Sequence, residues 1–166
     1  PETCGGNCDD TAMNGDPTSS GSTRSGEQFN AGADIIGETI VGCKFQLKVD
    51  SVTGASGDIT LNAYNSAGVL QASIAELANS ELTTSWQFLT FTRIGSASHT
   101  VVAGDRIVLE IPSTFYSGGY NQWTRNRYTH DSSGWSNATW TTYSINTSTW
   151  TEYATYDITG CFTYED

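Results

Sequence analysis

Val41-Gly42-Cys43-Lys44-Phe45-Gln46-Leu47-Lys48-Val49 decides the fold. Val41, Cys43, Phe45, Leu47 and Val49 recur at every second position, with Lys44, Gln46 and Lys48 between them. Successive side chains of an extended strand point to opposite faces, so this spacing makes one apolar side and one solvated side. Working outward, the same period appears in Ile59, Leu61 and Ala63, and again in Ile107, Leu109 and Ile111 with Arg106, Val108 and Glu110 facing away. Strand signals fall near 38–50, 57–65, 69–75, 82–93, 99–103, 105–112 and 155–164. Gly- and Asn-containing turns separate them at 53–57, 65–68 and 103–105. Only 72–80, through Ala75-Glu76-Leu77-Ala78, offers a helical turn or two. The expected class is therefore all-β, an antiparallel jelly-roll-like β-sandwich.

One place breaks the alternation. Trp86 and Phe88 share a side, while Leu89 and Phe91 share the other. A bulge, or burial on both faces, would reconcile them.

The chain has 166 residues, the size of one domain. Residues 1–25 hold few apolar side chains and read as a polar arm over a sandwich spanning 26–166. Four cysteines in an acidic, Ser- and Thr-rich chain point to disulfides and an extracellular or cell-surface setting. Parity places Cys43 on the core side and Cys161 outward, so these two bond directly only across a bulge. The preferred alternative ties each of them to the Cys4/Cys8 segment, making a disulfide-anchored arm.

A net charge of −11 argues against nucleic acid and anionic membranes as partners. No apolar run is long enough to insert in a bilayer. Copies of the chain itself, and glycans, are the better candidates.

Cys43–Val49, Gly57–Tyr64, Leu82–Phe88, the Ala103-Gly104-Asp105-Arg106 turn and Trp150–Ile158 together resemble jelly-roll modules of prokaryotic and phage surface proteins. Many of those are carbohydrate-binding-like or anchored surface domains. The resemblance implies a fold and a setting more than a ligand, and the cysteine-bearing arm departs from it.

Candidate chemistry is sparse. Acids such as Asp105 and Glu110 fall in turns or at outward positions and read as solvated, with no two converging as hydrolysis of a glycan requires. His99 and His130 read as exposed loop histidines, and no nucleophile elbow is present. No enzyme and no cofactor are expected. Asp9, Asp10, Asn14 and Asp16 could supply hard oxygens to a structural calcium, although their spacing suits an ordinary polar turn better. Asn137 and Asn146 open glycosylation sequons.

Residues 115–156 concentrate aromatics among polar neighbours. Trp123, Arg125, Arg127, Tyr128, Trp135 and Trp140 are the candidate glycan platform, whereas Trp150 and Tyr156 read as structural. For assembly by strand addition, residues 27–41 with Phe29, Ile35, Ile36, Ile40 and Val41 form the candidate strand. The leading expectation is a non-enzymatic subunit of a surface fibre or pilus-like filament. A carbohydrate-binding or adhesive module is the alternative.

Overall fold

The computed structural model describes residues 2–5, 13–15, 22–49, 57–111, 124–129, 138–144, 148–153, 157–158 and 160–165. Within them the chain is all-β and antiparallel. Its strands are β1 (Glu2–Gly5), β2 (Met13–Gly15), β3 (Ser22–Phe29), β4 (Thr39–Val49), β5 (Ile59–Tyr64), β6 (Leu70–Leu77) and β7 (Gln87–Arg93). They continue as β8 (His99–Thr100), β9 (Arg106–Glu110), β10 (Thr124–Thr129), β11 (Ala138–Ser144), β12 (Thr149–Tyr153), β13 (Asp157–Ile158) and β14 (Gly160–Tyr164). Residues 72–80 hold no α-helix: β6 runs through Leu77, and a single 3₁₀ turn, Asn79–Glu81, follows. Cross-strand pairing with β5 and β7 outweighs the weak helical preference of that stretch.

The strand path runs β1-β14-β4-β7-β6-β5-β9-β3-β11-β12. A first layer gathers β1, β14, β4 and β7, with β10 beside β4. A second layer gathers β6, β5, β9, β3, β11 and β12, and the two join at β6 and β7. Their inner sides face each other. Phe29 of the second layer meets Phe162 of the first edge-on at 6.0 Å, and Phe162 meets Phe45 at 5.5 Å. Burying one such ring contributes about 2–3 kcal/mol.

β4 is the hub, and its alternation holds from Cys43 to Val49: Cys43, Phe45, Leu47 and Val49 are buried, and Lys44, Gln46 and Lys48 lie half-open. Val41 does not share the core side as its spacing suggests. The β4–β14 register shifts between Thr163 and Tyr164, and this puts Ile40 inside in its place. Gly160 stands opposite Phe45, where a Cβ would fall 1.9 Å from the ring, so only glycine lets Phe45 lie across the strand.

The amino-terminal segment is built into the sheets. β1 pairs with β14 and β2 with β10, while β3, which straddles the expected boundary at residue 25, sits between β9 and β11. Its strand signal was hidden because its inward positions include Ser25 and Glu27, which are polar yet fully buried. Gly26 lies so close to β9 that a Cβ would fall 2.1 Å from the Ile107 carbonyl oxygen.

Two assignments to this region need correction. Residues 27–41 are not one strand: Phe29 ends β3, Ile35 and Ile36 lie in the turns that follow, and Ile40 and Val41 belong to β4, with Phe29, Ile35 and Ile40 in the core, Ile36 packed against it and Val41 half-buried. Cys43 is a free buried thiol and not a half-cystine. The reason is parity: Cys43 faces inward opposite Phe162, and burial pushes its thiol pKa well up.

Candidate functional site

Of the proposed glycan platform, Trp123 and Trp135 lie outside the described residues, as do the sequon residues Asn137 and Asn146 and the calcium candidates Asp9, Asp10 and Asp16. Asn14 pairs with Arg127 in the β2–β10 ladder. Arg125 stands opposite Lys48, Tyr128 opposite Met13 and Ile158, and Trp140 between Glu27 and Tyr153. The platform is thus split, with Arg125, Arg127 and Tyr128 in the first layer and Trp140 in the second. His130 and Cys8 also lie outside the described residues. Among the described residues no three His, Cys, Asp or Glu side chains gather as a metal site, and no helix is long and apolar enough to cross a membrane.

Cations and rings do come together, on two outer faces that the sequence reading did not single out. The first is on the second layer. The ladders align Thr60, Glu110, Arg24, Tyr143 and Trp150 in one row across five strands. The Arg24 guanidinium lies 4.5 Å from the Tyr64 ring centre and 4.3 Å from that of Tyr143. Arg24 Nε is 3.0 Å from Glu110 Oε1, while Asn62 Nδ2 and the Tyr64 hydroxyl donate to Glu110 Oε2 at 2.6 and 2.5 Å. Trp150 leans over from β12 to meet both Tyr143 (5.1 Å) and Tyr64 (5.6 Å). Arg106 lies 5.0 Å from the Trp150 ring centre, reaches Glu152 at 3.1 Å, and donates to the carbonyls of Asn65 and Ser66.

This cluster is closed. Val108, Thr141, Asn62 and Arg106 beneath it are buried, against the expectation that the outward positions of β9 are solvated. The Tyr64 pKa is raised well above its ordinary value, first by burial and then by the Glu110 hydrogen bond and charge. Glu110 accepts two hydrogen bonds, from Asn62 and Tyr64, and pairs in charge with Arg24, so it is held in place from three sides.

The second face, on the outer side of the first layer, is less covered: Phe88 is exposed, and Lys44, Gln46, Lys48 and Trp86 are half-buried. β7 pairs with β4 in unbroken register, Gln46 opposite Phe88 and Lys44 opposite Thr90. Leu89 and Phe91 therefore point inward and Phe88 outward, 37% exposed. Neither a bulge nor double burial is needed to reconcile the pattern. The Lys44 ammonium lies 5.8 Å from the Phe88 ring centre and that of Lys48 5.2 Å from Trp86. An open groove lined by Asn79, Ser80, Leu82, Thr83 and Thr84 lies in the segment leading to Trp86.

His99 and Asp105 correct the expectation of solvated loop groups. Asp105 is buried, and its Oδ2 takes the His99 ring nitrogen at 2.6 Å and the Val102 amide at 3.0 Å. The pair fastens the turn that Gly104 closes at a φ of +92°. Cys4 stands directly opposite Cys161 in the β1–β14 ladder.

The chain matches no protein-family model, no curated protein and no solved structure.

Proposed function

We propose that this chain is a non-enzymatic extracellular subunit of a surface fibre or pilus-like filament, a jelly-roll-like module joined to its copies by exchange of one strand. The seat of β3 carries this reading. A strand near the start of the chain fills a slot between β9 and β11, antiparallel to both, and ends on the buried Phe29. Residues 30–38, which lead from it to β4, are mostly exposed. A strand so placed makes the same contacts whether its own chain or a neighbour supplies it, so exchange costs little. Repeated head to tail, it builds an open filament. β3 thus replaces residues 27–41 as the assembly element.

The register supports Cys4 as the partner of Cys161, which would anchor the arm and suits an oxidising compartment. Glycosylation at Asn137 and Asn146, and calcium held by the Asp9–Asp16 segment, belong to the same proposal.

Electron microscopy of concentrated protein tests it, with filaments as the expected outcome. Mixing a Ser25→Cys copy with a Leu109→Cys copy sharpens the test, because these positions face each other between β3 and β9. A disulfide linking the two copies reports exchange. A monodisperse monomer at high concentration would sink the reading.

A second reading, a carbohydrate-binding or adhesive surface, is favoured by the exposed Phe88 and its neighbour Trp86. It moves the platform from residues 115–156 to β4 and β7.

A further inference from the structure

Arg24, Arg93 and Arg106 each have a carboxylate partner: Glu110, Glu165 and Glu152. Lys44 and Lys48 have none among the described residues, although the chain holds 18 acids against seven Lys and Arg. Both instead lie near aromatic rings on the outer face of the first layer. In the β4–β10 ladder the backbone of Arg125 stands opposite that of Lys48. Lys44 and Lys48, two of the seven basic residues of an acidic chain, therefore share one sheet face.

We infer that this face, along Lys44, Gln46, Lys48, Trp86 and Phe88, binds a uronate-bearing acidic polysaccharide. The inference rests on the second reading above and is independent of polymerisation. A pyranose ring has a C–H face that stacks on an aromatic ring, and a uronate adds a carboxylate that an ammonium can meet. The strip alternates these two needs. Lys44 and Lys48 stand about 13 Å apart along β4, given the rise of a strand, and Phe88 lies opposite Gln46, midway between them.

A neutral glycan would leave the two ammoniums unanswered. A polyphosphate would meet the chain's net charge of −11 with a much denser charge of its own. Screening confines repulsion from the rest of the molecule to about 8–10 Å at physiological salt, so the local cations dominate at contact. The site is shallow and partly solvated, which suits a Kd of roughly 0.1–1 mM per strip.

Affinity electrophoresis and calorimetry on the full chain test this with polygalacturonate as the probe. Its methyl ester, which keeps the sugar and removes the charge, is the control. Polygalacturonate should bind, the methyl ester about tenfold more weakly or worse, and binding should fall as salt rises from roughly 50 to 300 mM. Lys44→Gln/Lys48→Gln and, separately, Trp86→Ala/Phe88→Ala should each weaken binding about tenfold. Circular dichroism must show both variants folded. If the double aromatic variant is not, Phe88→Ser alone carries that arm.

Equal binding of the methyl ester overturns the acidic specificity and leaves the glycan reading standing. No binding of either polysaccharide overturns both. Equal binding of polyglutamate or single-stranded DNA shows a contact of charge alone and also overturns the inference. So do lysine variants that lose self-association in sedimentation while keeping polygalacturonate, for the face would then belong to a second copy.

Discussion

Two outer faces of this molecule set cations against aromatic rings, yet they are built to opposite ends. On the second layer, Arg24 and Arg106 pair with Glu110 and Glu152, and Tyr64, Tyr143 and Trp150 pack around them. On the first layer, Lys44 and Lys48 lie near Phe88 and Trp86 with no described carboxylate partner. The same residue classes make an internal brace in one place and an accessible surface in the other. Partner carboxylates and burial separate the two. A guanidinium that meets a carboxylate and lies between rings is committed to the fold. An ammonium over an exposed ring keeps most of its capacity for an outside anion.

The sharpest way to break this comparison acts on the braced side. Gly26→Ala places a methyl against backbone atoms of Ile107 and Val108, which cannot swing aside. The loss of stability should reach or exceed the upper end of the about 1–3 kcal/mol typical of overpacking, read from the urea midpoint. An unchanged midpoint would mean that β3 is not locked beside β9. Next in size is Arg24→Ala, which strips Glu110 of its ion pair and the two tyrosines of their guanidinium. About 2 kcal/mol should be lost, because a partly buried carboxylate is left without its counter-charge. Lys44→Ala and Lys48→Ala should each cost less than about 0.5 kcal/mol. If Arg24→Ala and the two lysine variants behave alike, the contrast between the faces is wrong.

Alkaline titration adds a finer distinction. The folded chain holds the Tyr64 pKa above its unfolded value of about 10. The stability linked to that phenol is therefore fully present below about pH 10 and is lost as pH climbs through the raised folded value. Absorbance near the phenolate band should show a late-ionising tyrosine that disappears in Tyr64→Phe. A titration curve that loses an early step instead would contradict the burial of this group beside Glu110.

The core was legible wherever apolar residues alternate. Cys43 to Val49, Ile59 to Ala63 and Ile107 to Ile111 keep the side their spacing assigns. β3 was not legible, because Ser25 and Glu27 occupy inward positions and carry no hydrophobic signal. The Arg24 cluster was invisible for a related reason. It draws on five strands, and only the pairing order β5-β9-β3-β11-β12 brings Tyr64, Glu110, Arg24, Tyr143 and Trp150 to one side. The structural reading of Trp150 agrees with its packing against Tyr64 and Tyr143. For the open face a signal did exist: the conflict between Trp86/Phe88 and Leu89/Phe91. Taken at face value, without a bulge, it already set two aromatics outward beside the lysines of β4.

That conflict supplies the smallest effect and the finest test. Phe88→Ser removes a large ring, a change that at an inward position costs about 3–5 kcal/mol. Phe91, three residues along and buried edge-on against Phe45 at 6.5 Å, should behave in that way. Phe88 should not. Over a third of it already meets water, it stands opposite the polar Gln46, and the Lys44 ammonium lies 5.8 Å from its ring centre, so the loss should stay within about 0.5–1 kcal/mol. A ring this large at an outward strand position, contributing so little to stability, has its use in contact with something else. Equal losses for Phe88→Ser and Phe91→Ser would return Phe88 to the core and remove the open face from the comparison.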